Sequence, residues 1–158
     1  VILPAGSPDS MQHGTEPSLS WSNGDGEMIL LAEDHRYVRE IMASTLQHLG
    51  YKVLQVEDGL TLLDSYHAHR DCLRLLIVDL GLPKCSGLDS LRQLRAQDVH
   101  LSAILITGTD SPDLPDQLDA ETLLLLKPFQ MATLARLVSS LLAKGNCIHD
   151  QIDFDYPG

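Results

Sequence analysis

Seven residues in the middle of the chain, Leu73-Arg74-Leu75-Leu76-Ile77-Val78-Asp79, run almost wholly apolar and end in a carboxylate. They give way at once to the turn-forming stretch Leu80-Gly81-Leu82-Pro83-Lys84-Cys85-Ser86-Gly87. A run this short and this apolar describes a strand buried on both faces, which requires a sheet covered by helices on either side. Asp79 then stands at the strand's carboxyl end, the rim at which open α/β sheets place their chemistry. An acid there, taken alone, is more often a solvated loop start, so its meaning depends on the rest of the chain.

The rest of the chain repeats the pattern. Met28 to Glu33 reads as a first strand, and His35 to Leu49 as a helix with Val38, Ile41, Met42, Thr45, Leu46 and Leu49 at helical spacing, stopped by Gly50. Tyr51 to Glu57 is a second strand and Asp58 to His69 a second helix. Beyond Asp79, Ser86 and Asp89 form a capping-box-like start to a helix with Leu88, Leu91 and Leu94 on one face. Leu101 to Ile106 and Thr122 to Leu126 are further buried strands, and Met131 to Ala143 is a last amphipathic helix. Between those two strands, Pro112 and Pro115 permit only a short or irregular helix in Thr109 to Glu121. Five strands alternating with helices predict a single doubly wound (βα)5 α/β domain with a parallel sheet.

Composition bounds what surrounds this domain. Residues 1–27 hold three Pro, four Gly and five Ser and read as a flexible linker, residues 28–143 as the domain, and residues 144–158 as an acidic tail. The net charge of −11 is concentrated at the ends: residues 1–27 carry four acids and residues 150–158 three, with no Lys or Arg in either. Acidic ends argue against a nucleic-acid-binding surface. Cys72, Cys85 and Cys147 share no C-x-x-C spacing, so free thiols in a reducing cytoplasm are the simplest reading. No apolar stretch reaches the roughly 18 residues of a membrane span. The start Val1-Ile2-Leu3-Pro4 has neither an initiator Met nor the pattern of a signal peptide, as expected of a fragment of a longer protein.

In a parallel sheet the carboxyl ends of the strands share one rim, and the residues predicted there form a constellation. Glu33 and Asp34 follow strand one, Asp79 ends strand three, Thr107 follows strand four, and Lys127-Pro128 follows strand five. Three crowded carboxylates are tolerable only with a cation among them, and hard oxygen donors without His or Cys favour Mg²⁺. Lys127 adds a second positive charge and Thr107 a hydroxyl, so the rim suits a dianionic group held beside Asp79. Each residue has a bland alternative: Asp34 as a helix cap, Thr107 as an ordinary strand-end residue, Lys127 as a solvated charge. The seven histidines sit in no phosphorylation-like motif and read as structural or surface residues.

Met28-Ile-Leu-Leu-Ala-Glu33-Asp34, Leu76-Ile-Val-Asp79-Leu-Gly-Leu-Pro83-Lys-Cys-Ser-Gly87, Ile104-Leu-Ile-Thr107-Gly and Leu126-Lys127-Pro128-Phe129 together resemble the four signatures of two-component receiver domains. The resemblance spans about residues 28–143 and implies a CheY-like, flavodoxin-like fold with strand order 2-1-3-4-5. It implies that Asp79 accepts a phosphoryl group from the phosphohistidine of a histidine kinase or phosphotransfer domain. Glu33, Asp34, Asp79 and the Gly81 carbonyl would hold Mg²⁺, Lys127 would pair with a phosphoryl oxygen, and Thr107 would hydrogen-bond another. It also implies a cis peptide bond at Lys127-Pro128, and a domain that takes part in its own phosphorylation and dephosphorylation.

Two positions depart from the family pattern. Leu124 stands where an aromatic switch residue is usual, and Gly108 stands where Ala is common, so the resemblance does not extend to the coupling of Thr107 to an aromatic side chain. A pseudo-receiver that binds partners without phosphorylation is the alternative these departures leave open. A haloacid-dehalogenase-like phosphatase is disfavoured, because its second acid would fall at Gly81. Val1-Ile-Leu-Pro-Ala-Gly6 resembles the closing strand of a histidine-kinase ATP-binding domain, and no output domain is recognisable after Ala143. The expected context is therefore the cytoplasmic receiver of a hybrid sensor kinase, any membrane anchor lying elsewhere in the parent protein, with a stand-alone response-regulator receiver as the alternative.

Overall fold

The computed structural model describes residues 24–97, 100–108 and 118–154, the last eleven of these as backbone alone. Strands β1 (Met28–Ala32), β2 (Lys52–Val56), β3 (Leu73–Asp79), β4 (Ser102–Thr107) and β5 (Thr122–Leu126) form one parallel sheet in the order β2-β1-β3-β4-β5. This is the flavodoxin-like order expected from the sequence. Four helices are seen among the described residues: α1 (Arg36–His48), α2 (Gly59–His69), α3 (Gly87–Arg95) and α4 (Met131–Phe154). The irregular helix anticipated around Pro112 and Pro115 falls in residues 109–117, outside the described residues. No described helix is long and apolar enough to cross a membrane.

Side-chain alternation along the strands sorts the core into two layers. Leu30, Ala32, Leu76, Val78, Ala103 and Leu105 face α2 and α3, where Leu62, Tyr66, Leu88, Leu91 and Leu94 meet them. Ile29, Leu31, Leu75, Ile77, Ile104 and Ile106 face α1 and α4, against Met42, Leu46, Leu134, Val138 and Leu141. Both faces of β3 are thus covered, which is why it reads as a continuous apolar run without alternation.

Local chemistry sets where the elements begin and end. Gly50 closes α1 with φ +97°, its amide donating to the Gln47 carbonyl and that of Tyr51 to the Leu46 carbonyl, the paired bonds of a Schellman motif. Asp58 caps α2 by accepting from the Thr61 amide, and Ser86 caps α3 by accepting from that of Asp89, as the capping-box pattern suggested.

Two boundaries differ from the sequence reading. Residues 24–27, assigned to the linker, are hydrogen-bonded to the turn after α1: the Gly24 amide donates to Leu49, the Gly26 amide to Gly50, and the Lys52 amide to Glu27. A β-carbon at Gly24 would collide with the Tyr51 ring, so this stretch lies directly on the domain. The last helix also continues past Ala143, through much of the expected tail, to Phe154. Residues 144–154 contain no proline, and a lone Gly145 lowers helix propensity without ending a helix.

Candidate functional site

Parallel register brings the strand ends level: Ala32 pairs with Val78, Asp79 with Ile106, and Thr107 with Leu126. Glu33 and Asp34 after β1, and Lys127 after β5, therefore arrive at the same rim as Asp79 and Thr107. Because β4 lies between β3 and β5, about 9.5 Å separates their backbones, a gap that a long lysine side chain closes.

The five rim side chains are not placed alike. Glu33 is fully buried, Asp79 and Thr107 are buried, and Asp34 is exposed at the mouth. The Lys127 ammonium forms ion pairs with Asp79 Oδ2 and, at 3.2 Å, with Glu33 Oε2. The Gly81 amide donates to Asp79 Oδ1 at 2.7 Å, so both acceptor oxygens of Asp79 are engaged. The His35 amide donates to Glu33 Oε1 at 3.0 Å. His35, not Asp34, is the N-cap residue of α1 and makes no side-chain cap, which leaves the Asp34 carboxylate to the rim. The Thr107 hydroxyl donates to the Gly108 carbonyl at 3.1 Å, so it sits at the rim but is turned onto its own strand end. The Lys127-Pro128 peptide is cis, as the motif implied.

Electrostatics follow from this crowding. Burial, together with the neighbouring Asp79 carboxylate, raises Glu33 to about 7 against the opposing His35 amide and Lys127. Burial alone would lower the Lys127 ammonium, but Asp79 and Glu33 outweigh it and hold it above its ordinary value. One carboxylate oxygen from each of Glu33, Asp34 and Asp79 lies within 4.8 Å of the others, with a single lysine between two of them. Clustered hard oxygen donors with a deficit of positive charge fit a divalent cation of the Mg²⁺ type.

Sequence reasoning missed the contacts that hold these residues. Arg39 donates to the backbone carbonyls of Glu33 at 2.7 Å and Asp34 at 3.5 Å, pinning the strand-to-helix turn that carries both acids. The only sequence signal was an arginine in the first turn of a helix following two acids, which also describes many surface ion pairs. Lys84 reaches Asp58 at 2.7 Å from a different loop, with no local signal at all. Leu124 is half-buried against the core layer of α2 and α3.

Comparison with known proteins bears on the family and the fold. A family model described as the response regulator receiver domain matches residues 29–139. The uncharacterized transcriptional regulatory protein YkoG of Bacillus subtilis is 34% identical over 125 residues, covering 77% of this chain and 54% of YkoG. The response regulator MprA of Mycobacterium tuberculosis is 35% identical over 83 residues, covering 52% of this chain and 35% of MprA. The chain thus spans about half the length of the first relative and a third of the second. Among solved structures, the receiver domain from the hybrid histidine kinase CckA superposes with a TM-score of 0.63 at 28% identity, covering 73% of this chain and 98% of that one. A response regulator receiver domain protein from Clostridium thermocellum, at 21% identity, shares the fold with a TM-score of 0.67 over 77% of this chain and 98% of its own.

Proposed function

Since the chain belongs to the response regulator receiver domain family of two-component signalling, we propose that it is a phosphorylation-dependent switch that accepts a phosphoryl group on Asp79. The observation that carries this reading is the meeting of Glu33, Asp34, Asp79 and the Lys127 ammonium at one rim of the parallel sheet.

The donor is a phosphohistidine on a histidine kinase or phosphotransfer domain. In the transfer, the phosphorus–nitrogen bond to the donor imidazole breaks and a phosphorus–oxygen bond to the Asp79 carboxylate forms, leaving an acyl phosphate. Glu33, Asp34 and Asp79, with the Gly81 carbonyl, would hold Mg²⁺, which when bound supplies charge neutralisation for the incoming phosphoryl group. The Gly81 amide keeps the Asp79 carboxylate from rotating. Lys127, already on Asp79, exchanges part of that contact for a phosphoryl oxygen. Thr107 gives up its bond to the Gly108 carbonyl and donates to another phosphoryl oxygen, which couples the site to β4.

For the parent protein we favour a hybrid sensor kinase acting in the cytoplasm. Support comes from the kinase-like Val1–Gly6 segment and from the likeness to the CckA receiver. The receiver of a response regulator is the second reading, favoured by the relatives YkoG and MprA.

Acetyl phosphate with Mg²⁺, followed by intact-mass measurement, tests the assignment. Wild type should gain one phosphoryl group and Asp79→Asn none. A wild type that gains none, and whose spectra are also unmoved by beryllofluoride and Mg²⁺, would instead be a pseudo-receiver.

A further inference from the structure

Lys84 is the one non-glycine residue at positive φ among the described residues, at +68°. A β-carbon in the left-handed region costs free energy that glycine avoids, so something must hold the residue there. Its ammonium lies 2.7 Å from Oδ2 of Asp58, joining the loop after β3 to the loop after β2. The other Asp58 oxygen accepts from the Thr61 amide at 2.7 Å and the Thr61 hydroxyl at 2.8 Å, so the carboxylate is both the cap of α2 and the anchor for Lys84. The residues on either side of Lys84 are held as well. The Gly59 amide donates to the Pro83 carbonyl at 3.2 Å, and the Cys85 carbonyl fills the space a β-carbon at Gly59 would need.

The same loop is tied to Asp79 at its two ends. The Gly81 amide holds Asp79 Oδ1, and the Gly87 amide donates to Leu80 at 3.3 Å while the Asp79 carbonyl occupies the β-carbon position of Gly87. A continuous set of contacts therefore runs from Asp58 through Lys84 and the loop to the acceptor carboxylate.

We propose that Lys84 and Asp58 form a positioning pair, which holds the loop after β3 in the conformation that lets the Gly81 amide orient Asp79. The pair's consequence for phosphorylation rests on Asp79 being the acceptor; its effect on the Gly81 amide does not.

Two variants of the full chain separate this role from simple stabilisation. Lys84→Gly removes the ammonium but accepts the positive φ more readily than lysine. Asp58→Asn removes the charge and keeps a residue that caps helices as well as Asp. In the metal-free protein, both should shift the Gly81 amide resonance and speed its exchange with solvent. In Mg²⁺ titrations followed in the same spectra, both should weaken binding by up to about fivefold, the range a partly exposed ion pair can supply. Lys84→Arg should restore both readouts. An unchanged Gly81 amide and unchanged Mg²⁺ affinity in both variants, or a response in only one of them, would overturn the proposal. If the Gly81 amide responds while wild type takes no phosphoryl group from acetyl phosphate, the positioning pair stands and the phosphoacceptor reading fails.

Discussion

Asp79 is held from two sides, by a neutral amide at Oδ1 and by an ammonium at Oδ2, and it shares that ammonium with Glu33. Burial, acting against that shared ammonium, makes Glu33 sensitive to pH in the metal-free protein. Its carboxyl titrates near 7 when folded, against an ordinary value of 4.5, because burial disfavours its charged form. Between those values the folded state binds a proton that the unfolded state has released, so stability falls as pH rises through this window. The slope approaches about 1.4 kcal/mol per pH unit. Urea unfolding of metal-free protein from pH 5 to 8 should show this decline. Glu33→Gln should flatten it, and a wild-type curve that rises across the window would refute the assignment. Lys127 invites a different test. Its removal leaves all three carboxylates in place, so Lys127→Ala should still bind Mg²⁺ yet lose the conformational response to beryllofluoride. A variant whose amide shifts on activation match those of wild type would show that Lys127 is not the phosphoryl partner. Taken singly, Thr107, Lys127 and Asp34 each had an ordinary explanation; it was their shared place after the predicted strands that joined them in the sequence, and the register brings them to one rim.

At the scale of elements, the apolar runs were legible because strands buried on both faces need no polar alternation. Ile77 shows how much rests on that burial: it is fully enclosed in central β3 between β1 and β4. Ile77→Ala should cost about 2–5 kcal/mol, whereas Leu126→Ala, at a residue 50% exposed on edge strand β5, should stay within about 0.5 kcal/mol. Equal shifts in denaturation midpoint would mean that the two-layer core is misassigned. The helix starts read at His35, Asp58 and Ser86 match the N-cap residues of α1, α2 and α3, and at Ser86 the side-chain cap itself was legible as a capping-box-like pattern. The run-on of α4 and the docking of residues 24–27 were missed for a common reason. Both depend on backbone continuity or backbone hydrogen bonds, which composition does not report.

For the whole molecule, a divalent cation bound at the rim would be coupled to folding, because the three carboxylates are gathered only when the sheet is formed. Mg²⁺ should therefore raise the thermal midpoint, by the equivalent of about 2.7 kcal/mol when its concentration is 100 times its dissociation constant. Asp34→Asn should weaken that dependence, and a midpoint indifferent to Mg²⁺ would argue against a metal site among Glu33, Asp34 and Asp79. From sequence alone came the alternation of strands and helices, the parallel sheet, and the residue types waiting at each strand's end. These are local properties, written in periodicity and in short motifs. Only the tertiary structure decided which atoms meet: that Lys127 bridges Asp79 and Glu33, that the Thr107 hydroxyl rests on Gly108, that Arg39 pins the acidic turn, and that Lys84 reaches Asp58. Such contacts join residues as many as 94 positions apart, and their partners are chosen by strand order, register and loop path, which no local pattern encodes.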